Sequence, residues 1–161
     1  MPELPEVETI RRQLAPRVQG RRIVAADAHE SPKFAPARHA AGARIDDVGR
    51  RGKYLLFALD DERELVVHLG MTGALRVLDD APADPYVRAQ WSLDDGRSLV
   101  YRDVRRFGRI AVVPRGDHAS LPTLAAQGPE PFDDAFTPDH LLHALRASSA
   151  RLKTQLLSQR P

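Results

Sequence analysis

The sequence predicts a mainly β fold: a two-sheet antiparallel β-sandwich with an N-terminal helix ahead of it and short helical segments behind it. Three observations carry this. Short strand-like runs follow one another at close spacing, at 22–25, 43–48, 54–59, 64–69, 74–78, 87–93, 98–102 and 109–113. Turn signals such as Asp60-Asp61-Glu62 and Asp94-Asp95-Gly96 separate several of them. There is no strand–helix–strand alternation and no internal repeat, which argues against a parallel, doubly wound sheet.

The first element is a helix. Val7, Ile10, Leu14 and Val18 recur at helical spacing, while Arg11, Arg12 and Arg17 stay off that stripe. Leu4 precedes a proline and reads as the boundary residue, with Pro5 at the first helical position. Glu6 and Glu8 fall in the first turn and suit the positive end of the helix dipole, and Gly20 is a natural stop. Residues 30–42 read as a loop with room for a helical turn. From Pro114 to Phe136 the chain is rich in Pro, Gly and Asp and reads as a linker. Thr137 then caps a helix with Pro138 at its first position and Leu141, Leu142 and Leu145 on its apolar side. Ser148-Ser149 interrupts it, and residues 151–159 begin another helix, in which the chain stops as a fragment would. The expected division is a sandwich domain over 1–136 and the start of a helical module over 137–161.

Composition bounds the function. A chain of 161 residues is long enough for a sizeable core. It has no run of membrane-spanning length and no signal-peptide pattern, so a cytoplasmic protein is expected. It contains no cysteine, which excludes disulfides and thiolate metal sites within these residues. The net charge is only +2, but basic residues gather at 11–22, 50–53, 102–115 and 146–153, and acidic ones at 79–84, 94–95 and 130–139. Such segregation gives a nearly neutral molecule a basic face, a footprint of nucleic-acid binding.

The extreme N-terminus carries the sharpest chemical signal. A small second residue allows removal of Met1, which leaves Pro2 as a free secondary amine beside Glu3. An amine next to a carboxylic acid is what imine chemistry on a sugar aldehyde requires. The plainer alternative is acidic capping of an ordinary helix. His68-Leu69-Gly70-Met71-Thr72-Gly73 and Arg105-Arg106-Phe107-Gly108 each read as a turn at a strand end, with Met71 and Phe107 as apolar tips beside arginines. That combination suits a wedge entering a base stack, against the alternative that both tips are core. Lys53 precedes an apolar strand and is either a phosphate ligand or a solvated strand-end lysine. His140 and His143 share a helix but have no third ligand nearby and no HExxH, so they do not read as a metal site.

Taken together these residues resemble the formamidopyrimidine-DNA glycosylase family. The resemblance rests on Pro2-Glu3-Leu4-Pro5-Glu6-Val7-Glu8, Arg51-Gly52-Lys53-Tyr54-Leu55, the run from His68 to Gly73, Asp103-Val104-Arg105-Arg106-Phe107-Gly108, Gly128-Pro129-Glu130-Pro131 and Leu152-Lys153. It implies base-excision repair of oxidised purines by a bifunctional DNA glycosylase and AP lyase, monomeric and acting on double-stranded DNA with oxidised purines or abasic sites. Pro2 would be the nucleophile at the sugar C1′, Glu3 the acid for ring opening and Glu6 a supporting carboxylate. Lys53 would hold phosphate and assist elimination. Met71, Arg105 and Phe107 would fill the gap left by an extruded nucleotide, and His68, Arg106 and Lys153 would contact the backbone. Tyr86, in Tyr86-Val87-Arg88, stands where many members use a histidine-containing stretch for DNA. The helices after 137 would open a helix–two-turn–helix module. The family's zinc finger has no counterpart here, so no cofactor is expected within these residues. The alternatives are an endonuclease VIII-like glycosylase, a non-catalytic module that binds damaged DNA, and a structural sandwich with solvating arginines.

Overall fold

The computed structural model describes residues 2–157. Met1 and residues 158–161 lie outside them, and with these the processing of Met1 and the last residues of the helix read over 151–159. The chain divides into two compact units, one up to Ser120 and one from Leu121 onward.

The first unit is the expected antiparallel sandwich. Helix α1 (Leu4–Val18) is followed by β1 (Ile23–Ala28), a 3-10 turn at Ala35–Ala40, then β2 (Ile45–Arg51), β3 (Tyr54–Leu59) and β4 (Arg63–His68). Next come β5 (Ala74–Leu78), β6 (Val87–Leu93), β7 (Ser98–Arg102) and β8 (Arg109–Pro114). One sheet runs β1-β6-β7-β5 and the other β2-β3-β4-β8. The apolar runs fill the space between them. Val7, Leu14 and Val18 of α1 share one buried cluster with Phe57, Leu65 and Val67 of one sheet and Leu75, Trp91, Leu99 and Tyr101 of the other. Each large side chain removed from water in this way contributes about 1.5–3 kcal/mol.

Two flanking elements close the sandwich. Helix α1 packs on β2, β3 and β5, and the 3-10 turn packs on β1, β8 and β6. The buried Trp91 indole donates to the Ala37 carbonyl at 3.0 Å, which fixes the 3-10 turn without leaving a polar orphan. Helix α1 begins one residue earlier than its prolines suggest: Glu3 is the N-cap, and its backbone N–H donates to Glu6 Oε2 at 3.0 Å. That bond satisfies an amide which otherwise has no partner at a helix start. Pro16 lies inside the last turn.

Register places the functional residues. Tyr54 pairs with His68, and His68 pairs with Arg109. Ala74 and Val87 both pair with Arg102. The β2–β3 turn, the 69–73 crossover, the approach to β6 and the 103–108 crossover therefore all lie at one end of the sandwich. In the second unit, α2 (Pro122–Ala125) interrupts the stretch expected to be a linker, and α3 (Pro138–Arg146) and α4 (Leu152–Leu157) follow. The Thr137 hydroxyl accepts from the His140 amide at 3.1 Å, the cap its sequence predicts.

Candidate functional site

The site begins where α1 begins. Lys53, in the turn between β2 and β3, brings its Nζ to 2.5 Å from Glu3 Oε2. Pro2 is the next residue and is partly exposed. The pairing depends on how α1 is seated, and Glu8 seats it. Its carboxylate accepts from Arg11 Nε at 3.0 Å, Arg12 Nε at 2.8 Å and, from β2, Arg50 Nε at 3.1 Å. Arg50 continues to the Gly52 carbonyl at 3.0 Å, directly before Lys53, and Arg11 reaches the Val48 carbonyl at 3.2 Å. The hydrogen bond from Arg11, helped by those from Arg12 and Arg50, outweighs desolvation and lowers the Glu8 carboxyl to about 2. Glu6 faces the same corner through the Glu3 amide.

His68 links this corner to the loops. Its ring packs on Tyr54 with centroids 4.6 Å apart, and its Nδ1 accepts from the Gly70 amide at 3.2 Å. Burial, with a smaller contribution from the Lys53 charge, pushes the imidazole below its ordinary value. A neutral ring accepting at Nδ1 carries its proton on Nε2, which makes His68 a neutral donor.

The two crossovers meet face to face. Gly70 has φ +64, and a Cβ there would lie 2.5 Å from both the Gly108 nitrogen and the Phe107 carbonyl carbon. At Gly108 a Cβ would lie 1.7 Å from the Tyr101 hydroxyl. Gly70 is required by conformation and space together, Gly108 by space alone. The tips these glycines support point to solvent: Met71 is 41% and Phe107 49% exposed. The Arg105 guanidinium lies over the Phe107 ring at 4.6 Å. Arg106 is exposed and adopts φ 57, costly for a residue with a side chain, and its carbonyl accepts from Lys33 Nζ at 3.1 Å.

Sequence reasoning missed the group beneath these tips. Asp103 is fully buried, at 0% exposure. Its Oδ1 accepts from the Thr72 hydroxyl at 2.6 Å, and its Oδ2 from the Gly108 amide at 2.9 Å and the Tyr101 hydroxyl at 3.2 Å. Burial pushes this carboxyl up, but the donors together hold it below its ordinary value. The buried Arg88 donates to the Asp103 carbonyl at 2.8 Å. In the sequence Asp103 heads the run to Gly108 on which the family resemblance rests, but its residue type alone assigned it no role. Tyr86 stands nearby, 42% exposed, with Arg102 5.1 Å from its ring centre and Arg102 paired to Asp84 at 2.6 Å. Lys153 is exposed on α4 of the second unit. Among the described residues no three His, Cys, Asp or Glu side chains gather as a metal site would need, His140 and His143 included.

The Glu3–Lys53 corner and the two exposed loop tips thus share one end of the sandwich. Residues 1–110 match the family model described as the formamidopyrimidine-DNA glycosylase N-terminal domain. The chain belongs to the formamidopyrimidine-DNA glycosylase family. It is 44% identical over 174 residues to the formamidopyrimidine-DNA glycosylase of Deinococcus radiodurans, covering 100% of this chain and 59% of that protein. The Thermus thermophilus enzyme is 45% identical over 160 residues, covering 99% and 58%. A crystal structure of the Thermus thermophilus protein superposes with a TM-score of 0.87, again covering 99% of this chain and 58% of that one. The Lactococcus lactis glycosylase, solved non-covalently bound to DNA containing an abasic site, superposes at 0.84 with 33% identity, covering 99% and 63%. The chain thus spans about three fifths of the length of these glycosylases.

Proposed function

We propose that this chain carries the catalytic end of a base-excision enzyme that removes oxidised purines from double-stranded DNA and then nicks the strand. The observation that carries this reading is the ion pair at 2.5 Å between Glu3 and Lys53, which puts an acid–base pair beside Pro2 on the sandwich end that also bears the exposed tips. With Met1 removed, the Pro2 nitrogen attacks the sugar C1′ as the glycosidic bond breaks, and the base leaves with the bonding pair and takes its proton from water. The neighbouring Glu3 carboxylate takes the amine proton and returns it to the ring oxygen, so that the ring opens to an iminium ion. Loss of a C2′ proton then expels the 3′ phosphate, and water releases the amine. Lys53 reaches the same corner, where it meets phosphate and assists proton transfer, and Glu6 holds the Glu3 backbone.

In this reading Met71, Arg105 and Phe107 enter the stack vacated by the flipped nucleotide, which offsets the few kcal/mol that unstacking costs. His68 and Arg106 donate to the backbone, Tyr86 lies along the strand with Arg102, and Lys153 makes a further backbone contact from the opening of a helix–two-turn–helix module. A monomer working in a bacterial cytoplasm completes the proposal. No helix among the described residues is long and apolar enough to cross a membrane. Incubation with a duplex bearing one oxidised purine tests it. The expected products are free base and a nicked strand. Absence of both, with abasic duplex still bound above intact duplex, would reduce the chain to a damage-binding module.

A further inference from the structure

We propose that Asp103, acting through the Thr72 hydroxyl, is the positioning residue that joins the Met71 tip and the Arg105–Phe107 tip into one rigid probe of the base stack. This rests on the wedge reading above. The two tips come from different crossovers and are connected by no continuous backbone. Thr72 bridges them: its hydroxyl accepts from the Arg105 amide at 3.2 Å and donates to Asp103 Oδ1 at 2.6 Å. The other carboxylate oxygen holds the far end of the same loop through the Gly108 amide at 2.9 Å. Both ends of the Arg105–Phe107 tip and the residue after Met71 are thus referred to one buried group. Two further donors hold the same loop, Lys33 on the Arg106 carbonyl at 3.1 Å and Arg88 on the Asp103 carbonyl at 2.8 Å.

A carboxylate suits this task where an amide does not. Three donors converge on two oxygens that accept only, and an asparagine would turn one of them into a donor facing another donor. A backbone held at φ 57 at Arg106 also needs surroundings that over-determine it. Without the relay each tip would relax separately. A flipped-out nucleotide leaves one gap, and filling it with two side chains requires that both arrive together, so loss of registry is read as loss of discrimination.

The test compares Thr72→Val, which keeps the shape and removes the relay, with Thr72→Ser, which keeps the hydroxyl. Titration of abasic and intact duplexes gives a preference ratio for each protein, and thermal melts accompany it. The ratio is expected to fall about tenfold in Thr72→Val and to be restored in Thr72→Ser, with melting temperatures within a few degrees of each other. Asp103→Asn is expected to lose the ratio as well. If it does not fold, the threonine pair still decides. A Thr72→Val protein with an unchanged ratio overturns the inference, as does a Thr72→Ser protein that fails to restore it or a Thr72→Val melt lowered by more than about ten degrees. Borohydride trapping of the wild type on a single-stranded abasic oligonucleotide, which has no stack to enter, reads the amine site separately. Trapping with an unchanged ratio in Thr72→Val sinks only this inference. No trapping, with the ratio lost as described, sinks only the catalytic reading. A wild type that does not distinguish the duplexes overturns the inference and the wedge together.

Discussion

In the proposed reaction one carboxylate, that of Glu3, has two tasks: receiving a proton from the amine and delivering it to the sugar. An amide can do neither, although it can still hydrogen-bond Lys53. Glu3→Gln is therefore expected to lower excision from an oxidised-purine duplex by roughly 10²–10⁴, the range of general acid–base catalysis, while duplex affinity changes little. A fall of less than about tenfold would leave Glu3 as a helix-start charge. His68 makes a different kind of prediction. Its lowered imidazole means that the contribution of the neutral ring to stability is fully present above the unfolded value near 6.5 and is lost as pH falls below it. His68→Asn can keep an acceptor for the Gly70 amide but does not titrate. The wild type should lose melting temperature relative to this variant between about pH 7 and pH 5, and parallel curves would refute the assignment. At this scale the sequence offers candidates wherever chemistry resides in a residue type, as at Pro2, Glu3, Lys53, Met71 and Phe107, and the structure pairs Glu3 with Lys53 and leaves Met71 and Phe107 exposed. Asp103 and Glu8 could not, because their roles come from donors that only folding gathers around them.

The elements show why the tips stand where they do. Gly70 and Gly108 let the two crossovers touch, so Gly70→Ala and Gly108→Ala should each destabilise by about 1–3 kcal/mol. Gly128→Ala, whose Cβ would meet nothing within 4 Å, should not. Denaturant melts of the three variants separate these outcomes. Helix α1 is tied to β2 through Glu8, whose lowered carboxyl sets the sign of its pH dependence. Its contribution is present above its ordinary value of 4.5 and is lost as pH falls towards about 2. Glu8→Gln should cost about 1 kcal/mol at neutral pH, solvent screening keeping it small, and the difference from wild type should vanish near pH 2. Equal stability of the two proteins at pH 7 would remove Glu8 as the seat of the helix. Strand positions were largely legible, because most strands carry an apolar run and Asp or Gly marks several turns; β2, Ile45–Arg51, runs past the expected 43–48 because its polar end is held by pairing with β3. The start of α1 moved by one residue because a backbone bond to Glu6, invisible to propensity, makes Glu3 the cap. The short α2 was missed because Pro122–Ala125 is too brief to show a period.

For the molecule as a whole, one end of the sandwich combines an acid–base corner, a neutral histidine donor and two exposed apolar tips among arginines. Plain-duplex affinity should come mainly from phosphate contacts and fall steeply with salt, whereas recognition of a flipped site should draw on the tips. Met71→Ala with Phe107→Ala should accordingly weaken abasic-duplex binding, with little change on plain duplex and little change in melting temperature, since both tips are exposed. A melt lowered by the roughly 2–5 kcal/mol of a core truncation, with unchanged lesion preference, would return both residues to the core. The sandwich was legible from its strand-like runs, and the family from motifs that occur in order along the chain. Their convergence became visible only through strand register, which sets Tyr54, the residue after Lys53, beside His68 and His68 beside Arg109. The central claim is that the Pro2 amine is the nucleophile. An ordinary α-amine near pKa 8 is about one tenth neutral at pH 7, whereas an ordinary lysine near 10.4 is less than a thousandth neutral. Borohydride reduction on an abasic duplex followed by peptide mapping of the cross-link tests the claim most directly. The account predicts the sugar remnant on Pro2 at the mature N-terminus and no cross-link when a residue precedes Pro2; a remnant on Lys53, or equal cross-linking with the N-terminus blocked, would contradict it.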